Sequence, residues 1–113
     1  VIKFQVPTAF NESIKRTTDK IKEINPDFVL NIGQAGGRTG ISVERVAINI
    51  NDARIPDNLN QQPIDEKIDE TGQNAYFASI PIKNIVQAIK NKKIPAAVSD
   101  SAGTYVIISC MVY

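Results

Sequence analysis

The 113-residue chain contains no histidine and no tryptophan, and its single cysteine is Cys110. Without an imidazole, the chain cannot by itself form a His-dependent catalytic triad or a zinc site with histidine ligands. One cysteine cannot form an internal disulfide. We expect Cys110 to be a buried, inert thiol rather than a nucleophile, because the chain offers no imidazole to activate it.

The chain also lacks a marked excess of charge of either sign. Its 13 Lys and Arg residues and 12 Asp and Glu residues give a net charge of +1 and are spread along the sequence. This balance argues against a nucleic-acid surface or a polybasic membrane anchor. The apolar runs are too short to cross a bilayer, and no secretory signal pattern follows Val1. Together with the single cysteine, these features predict a cytoplasmic protein.

Two segments have the periodicity of helices. The first is expected to begin at Glu12, with Asn11 as its cap, and to stop at Asn25-Pro26. The second has Pro81 in its first turn and is expected to end at Pro95. Each has apolar residues that recur at helical spacing on one face. These residues are Ile14, Ile21 and Ile24 in the first helix, and Ile82, Ile85, Val86 and Ile89 in the second.

Four shorter segments are predicted as strands: residues 1–6, 28–32, 45–50 and 94–98. Between the last two lies a long polar connection, residues 51–74, of the kind that often carries function. Alternation of strands and helices predicts an α/β fold, three-layered α/β/α with a largely parallel sheet. We expect one partial domain over the whole chain, with the 28–32 strand central because its apolar run is nearly continuous.

A glycine-rich segment, residues 33–40 (GQAGGRTG), follows the predicted central strand. Glycine permits positive φ and close approach of the backbone to a ligand. The segment is neither a dinucleotide-binding fingerprint nor a phosphate-binding Walker loop, because no Lys-Ser/Thr pair follows its last glycine. From spacing alone, a ligand-binding loop and a tight surface turn both remain open.

Several charged residues lie near this loop in the sequence. Glu44 and Arg45 directly precede an apolar strand pattern, and spacing alone favours a solvated charge pair over a catalytic role. Asp52, Arg54 and Asp57 follow that strand. They are interpreted in the same way, as parts of a polar, solvated loop.

Taken together, the motifs resemble those of the pyroglutamyl peptidase I family, also called pyrrolidone-carboxylate peptidases. The glycine segment combined with Glu44-Arg45-Val46-Ala47-Ile48-Asn49 is the most specific match, and the order and spacing agree up to Val106. The other matching segments are residues 6–10 (VPTAF), 52–58 (DARIPDN), 62–65 (QPID), 75–77 (AYF) and 101–106 (SAGTYV).

The resemblance implies a cysteine peptidase that removes N-terminal pyroglutamate from peptides, with a Cys-His-acid triad and neither a metal nor an organic cofactor. It implies that Glu44 is the acidic triad member. It implies substrate-binding positions at Thr8, Gln34, Arg54, Ile55, Tyr105 and Val106. Gln34 is expected to stabilise the oxyanion or hold substrate. The implied partner is a pyroglutamyl peptide, with no nucleic acid and no membrane, and homo-oligomer formation is left open.

The chain departs from the family pattern at the catalytic positions. Ile107 stands where the family has its nucleophilic cysteine, and the family's histidine and first strand have no counterpart here. A family-like coding sequence read one base later gives the text of residues 106–112, so we hypothesise a frameshift, which resequencing of the coding DNA would test. We therefore expect a peptidase fragment that is inactive as written. The alternative is a non-catalytic binding or interaction remnant of the same fold.

Overall fold

The computed structural model describes residues 1–106, which form two helices and six short strands. In chain order these elements are α1 (Glu12–Ile24), β1 (Ile41–Glu44), β2 (Val46–Ile48), β3 (Ile50–Asn51), β4 (Glu66–Lys67), β5 (Ala75–Phe77), α2 (Ile82–Asn91) and β6 (Ala96–Ser99). No helix within this part of the chain is long and apolar enough to cross a membrane.

The parallel pair β1–β6 and helix α2 form one packed unit. β1 runs parallel to β6, with Ile41 opposite Ala96 and Glu44 opposite Ser99. Helix α2 packs against both strands. Its apolar stripe is confirmed, because Val86 is buried and the other three residues of the stripe are partly buried. The stripe therefore fixes α2 on the sheet, as expected of an amphipathic helix.

Helix α2 and strand β6 differ slightly from the predicted bounds. The helix ends at Asn91 rather than at Pro95, because Lys93 adopts a left-handed backbone conformation with φ 60°. Strand β6 accordingly begins at Ala96, two residues later than predicted. The turn before Pro95, and not the proline itself, ends the helix.

Gly40 lies where the chain enters β1, directly against Pro95. The Ile41 N–H donates to the Pro95 carbonyl oxygen at 2.8 Å. A Cβ added at Gly40 would lie 2.9 Å from that same oxygen. The absence of a side chain at Gly40 thus permits the first contact between the two parallel strands.

We expect Gly40→Ala to lower the free energy of unfolding by about 1–3 kcal/mol, because the new methyl group must push the two strands apart. Gly36→Ala is the matched control, since a Cβ at Gly36 would meet no atom within 4 Å. Urea unfolding of both variants measures the difference. Equal losses of stability in the two variants would contradict this account.

The predicted strand over residues 45–50 is divided between β2 and β3, and Arg45 lies just before β2. The Arg45 N–H donates to the Ser99 carbonyl oxygen at 2.8 Å, and the Arg45 carbonyl oxygen accepts from the Ala78 N–H at 2.8 Å. At this residue the hydrogen-bonding partner of the chain changes from β6 to the segment of β5. β2 then pairs with β5, and β3 with β4, both antiparallel.

Asn49 separates β2 from β3, and its side chain adds two hydrogen bonds to the backbone of Asp69. Its amide Nδ2 donates to the Asp69 carbonyl oxygen at 2.7 Å, and its Oδ1 accepts from the Asp69 N–H at 2.8 Å. Asn49 and Ala47 are buried, whereas the face predicted from sequence (Val46, Ile48 and Ile50) is only partly buried. The face that carries Ala47 and Asn49 is therefore more buried than the opposite, apolar face.

Helix α1 has the predicted span but not the predicted cap. Asn11 has φ 61° and its side chain makes no capping hydrogen bond, so the capping prediction is wrong. The C-terminal end agrees with expectation: Asn25 is left-handed and its N–H donates to the Ile21 carbonyl oxygen at 2.8 Å. Ser13 and Thr17 are the buried residues of the helix, and its isoleucines are partly buried.

Residues 1–6 and 28–32 belong to no strand ladder among the described residues, so both strand predictions are wrong here. Leu30 is 61% exposed and Ile32 is 86% exposed, so the 28–32 segment is not a buried central strand. The physical reason is that a strand needs a neighbouring backbone within hydrogen-bonding distance. An open cavity adjoins both segments instead.

Candidate pyroglutamyl-binding site

A cavity with a volume of about 460 Å³ lies between the N-terminal segment, helix α1 and residues 26–34. Three of the predicted substrate-binding residues line it: Thr8, Gln34 and Val106. The rest of the lining is mainly apolar and includes Ile2, Phe4, Val6, Ile21 and Phe28. The structure therefore brings Thr8 and Val106, which are 98 positions apart in the sequence, to one concave surface.

The glycine segment 33–40 connects this cavity to strand β1. Gly37 has φ 82°, a conformation that favours glycine, and the Arg38 N–H donates to the Ala35 carbonyl oxygen at 3.3 Å. The segment is thus a turn, and Gln34 at its start lines the cavity. The tight-turn interpretation is confirmed, and a ligand-binding role for the segment stays a prediction.

Glu44, the last residue of β1, is held by Arg38 from the glycine segment. Arg38 Nη1 donates to Glu44 Oε1 at 3.0 Å, and the Glu44 side chain is 19% exposed. The second carboxylate oxygen, Oε2, is buried and has no hydrogen-bond partner among residues 1–106. This carboxylate is therefore fixed through one oxygen and keeps the other available as an acceptor.

Glu44 and Arg45 do not pair with each other, contrary to the charge pair expected from spacing. Arg45 Nε instead lies 3.3 Å from Asp100 Oδ1, at the end of β6. Successive residues in an extended chain point in opposite directions, which separates the two side chains. The solvated-pair interpretation is wrong for Glu44, whose carboxylate is mostly buried.

Phe10 forms the centre of a small apolar core beside the cavity. It is 1% exposed and clusters with Ala53 and Val106, and partly buried Tyr105 packs against this cluster. The Phe10 and Tyr105 rings meet edge to face, with centroids 5.4 Å apart and planes at 84°. Because Val106 also lines the cavity, this core supports one wall of it.

Asp57 lies in the polar connection and is hydrogen-bonded to Phe10 of this core. It is 8% exposed, so its interpretation as a solvated loop residue is wrong. Its Oδ2 accepts from the Phe10 N–H at 2.6 Å. Its Oδ1 accepts from the Leu59 N–H and the Gln61 N–H, each at 2.8 Å. Next to it, the Asn58 N–H donates to the Thr8 carbonyl oxygen at 3.0 Å. One carboxylate thus links a local turn to the chain segment that carries Thr8.

The Asp57 carboxylate has a lowered pKa. Burial alone acts to raise it, but backbone N–H groups of Gln61, Phe10 and Leu59 donate to the ionised form and outweigh that effect. All hydrogen-bond partners of this carboxylate within the described residues are neutral. The charged form is therefore maintained by backbone dipoles rather than by an ion pair.

The other three predicted substrate-binding residues, Arg54, Ile55 and Tyr105, do not line the cavity. Arg54 and Ile55 are exposed, Ile55 at 64%, and neither lines the cavity. Tyr105 contacts both the core beside the cavity and the turn that follows Ile55. Its ring packs against Phe10, and its hydroxyl donates to the Pro56 carbonyl oxygen at 3.1 Å. The predictions concerning Ile107 and Cys110 fall outside the described residues.

Sequence reasoning missed Phe10, Arg38 and Asp57 as parts of the site. For Asp57 a signal existed, because Pro-Asp-Asn is a turn pattern in which the Asp side chain bonds backbone N–H groups further along the chain. For Phe10 and Arg38 the sequence carried no comparable signal. Their importance follows from contacts with residues that are distant in the chain or on another element.

Short strands with a helix packed on the parallel pair, and a carboxylate at the end of one of those strands, define a protein of the α/β class. The chain matches the pyroglutamyl peptidase family over residues 1–113 and belongs to that family. Among curated relatives, pyrrolidone-carboxylate peptidase 1 of Caldanaerobacter subterraneus subsp. tengcongensis is 69% identical over 106 residues, which are 94% of this chain and 52% of the relative.

Solved structures confirm the α/β fold class. The chain superposes on pyroglutamyl peptidase I of Bacillus amyloliquefaciens with a TM-score of 0.94 at 48% identity, covering 98% of this chain and 54% of that one. For pyrrolidone carboxyl peptidase of Pyrococcus furiosus the TM-score is 0.92 at 39% identity, covering 95% and 51%. The chain spans about half the length of the relatives it matches.

Proposed function

We propose that residues 1–106 supply the pyroglutamyl-binding wall and the acidic residue of a cysteine-type pyroglutamyl peptidase site. On this proposal the 113-residue chain binds a pyroglutamyl group without cleaving it. The reaction of such a site needs a thiolate to attack the acyl carbonyl, and a base that later protonates the departing amine. This chain contributes recognition and orientation, and neither the thiolate nor the imidazole.

The observation that carries the proposal is the cavity lined by Thr8, Gln34 and Val106. Its volume of about 460 Å³ is within the usual range of small-molecule sites. A pyroglutamyl ring is a compact lactam with one N–H and one carbonyl on an otherwise apolar ring. Mostly apolar walls with a few polar groups are suited to such a ligand, and the Gln34 amide provides both a donor and an acceptor.

Glu44 is proposed as the acidic residue that orients an imidazole. Its buried Oε2 lacks a hydrogen-bond donor among the described residues. An unsatisfied buried acceptor costs free energy, so an N–H donor placed beside it would stabilise the site. An imidazole N–H is such a donor, and a carboxylate bonded to it fixes both the tautomer and the orientation of the ring.

The other family positions are assigned from their packing and exposure. Tyr105 and Val106 are proposed to form the wall, because both pack on the buried Phe10 core. Arg54 and Ile55 are proposed to contact the substrate beyond the lactam ring, because they are exposed and lie outside the cavity lining.

The binding role is tested by titrating the ¹⁵N-labelled chain with L-pyroglutamamide while its backbone amide resonances are followed by NMR. Cyclopentanecarboxamide is the control ligand, since it keeps the five-membered ring and the carboxamide but lacks the lactam. We expect saturable shifts at Thr8, Gln34 and Val106 with the lactam only. Glu44→Gln should leave the affinity within about twofold, because Glu44 acts on the imidazole rather than on the ring. Equal responses to the two ligands would contradict a pyroglutamyl-binding role.

A further inference from the structure

The hydrogen bonds of Asp57 divide between its two oxygens. Oδ1 receives the two local donors, the backbone N–H groups of Leu59 and Gln61. Oδ2 receives the distant donor, the Phe10 N–H at 2.6 Å, and also the Gln61 side-chain amide at 3.2 Å. One oxygen therefore shapes the turn, and the other holds a segment that lies 47 positions earlier in the chain.

The segment that Oδ2 holds carries two parts of the candidate site. Thr8, two residues before Phe10, lines the cavity, and its carbonyl oxygen accepts from the Asn58 N–H at 3.0 Å. The Phe10 ring packs against Val106, a second lining residue. A shift of Phe10 away from Asp57 would therefore move both residues relative to the cavity.

A second link joins the same turn to Tyr105. The Tyr105 hydroxyl donates to the carbonyl oxygen of Pro56, the residue directly before Asp57, at 3.1 Å. The Tyr105 ring also meets the edge of Phe10. The Asp57 turn thus contacts both the Thr8–Phe10 segment and the Tyr105–Val106 segment.

We propose that Asp57 is a positioning residue of the pyroglutamyl site: through its Oδ2 it sets the distance between the wall that carries Thr8 and the wall that carries Val106. It touches no substrate itself. The inference rests on the proposed pyroglutamyl-binding function, because the cavity is taken to be the binding site.

Asp57→Asn separates the two roles of the carboxylate. An asparagine has one oxygen, which can retain the two local donors of the turn, while its NH₂ group then faces the Phe10 N–H, donor against donor. Asp69→Asn is the matched control. Asp69 also bonds within its own turn, to the Thr71 N–H and hydroxyl, but it lies outside the cavity lining.

The experiment measures the binding of 2-pyrrolidone, a lactam that stays neutral at every pH used, together with the Phe10 amide proton shift. We expect Asp57→Asn to weaken binding about tenfold and to move the Phe10 amide resonance upfield, with Asp69→Asn within twofold of the unsubstituted chain. Unchanged affinity in a folded Asp57→Asn variant would overturn the proposal.

If Asp57→Asn does not fold, a pH titration of the unsubstituted chain tests the positioning role instead. The Phe10 amide shift and the 2-pyrrolidone affinity should change together as the pH falls, at one midpoint below the ordinary aspartate range. Affinity that stays constant through the Phe10 transition would overturn the positioning role. If 2-pyrrolidone and L-pyroglutamamide bind to none of the variants, the proposed function fails. In that case, a Phe10 amide shift that follows the protonation of Asp57 would show that this hydrogen bond joins the two segments structurally and has no role in binding.

Discussion

Purified chain is expected to release no chromogenic amine from a pyroglutamyl substrate above the rate of a protein-free blank. The chain has no histidine, and from the family resemblance we propose that Ile107 occupies the position of the nucleophile. Loss of the nucleophile or base of a comparable triad lowers turnover on the order of 10⁶-fold. In a Cys-His-acid mechanism the imidazole carries out both proton transfers, and the acidic residue only orients it, so Glu44 alone does not replace the histidine.

Two controls sharpen this expectation. Ile107→Cys should not restore activity, since the added thiol would still lack an imidazole to activate it. The second control is chain alkylated at Cys110, the only thiol. Turnover that disappears on alkylation would contradict the prediction and identify Cys110 as a nucleophile.

Phe10→Ala is expected to have the largest effect on stability. Phe10 is the largest fully buried side chain of the described residues, and its removal empties the core shared by Ala53 and Val106. Truncation of a buried Phe costs about 3–5 kcal/mol. Because small domains have a total stability of about 5–15 kcal/mol, this loss would leave a large share of the molecules unfolded at moderate urea concentrations.

Phe28→Ala is the matched control, since Phe28 is the same residue type but is 55% exposed. Its unfolding midpoint should lie close to that of the unsubstituted chain, because an exposed side chain leaves little cavity behind. The measurement is the urea midpoint from far-ultraviolet circular dichroism. Similar losses in both variants would show that the Phe10 core is not the main source of stability.

The helices were predictable because their information is local. The stripe of α2 repeats every three to four residues, so four isoleucine and valine positions were enough to locate the packed face. The strands were less predictable, since strand formation depends on a partner elsewhere in the chain. The apolar run 28–32 has a strand-like sequence, but no described segment pairs with it.

The same difference between local and long-range information applies to the candidate site. The family motif led to Thr8, Gln34 and Val106, which line one cavity. No local pattern indicated that the Asp57 carboxylate would be buried, because its closest donor, the Phe10 N–H, is 47 residues away. Burial of a polar group is a property of the assembled fold, and sequence spacing alone does not contain it.

The backbone of Arg45 belongs to two hydrogen-bond ladders at once, with its N–H bonded towards β6 and its carbonyl towards the residue after β5. If either pair of strands slipped by one residue, the bond to the other pair would break. A single peptide unit therefore locks the register of both. Glu44 directly precedes Arg45, whose backbone is hydrogen-bonded to neighbouring segments through both its N–H and its carbonyl group. Strands of only two to four residues can in this way hold a carboxylate still without a large core around it.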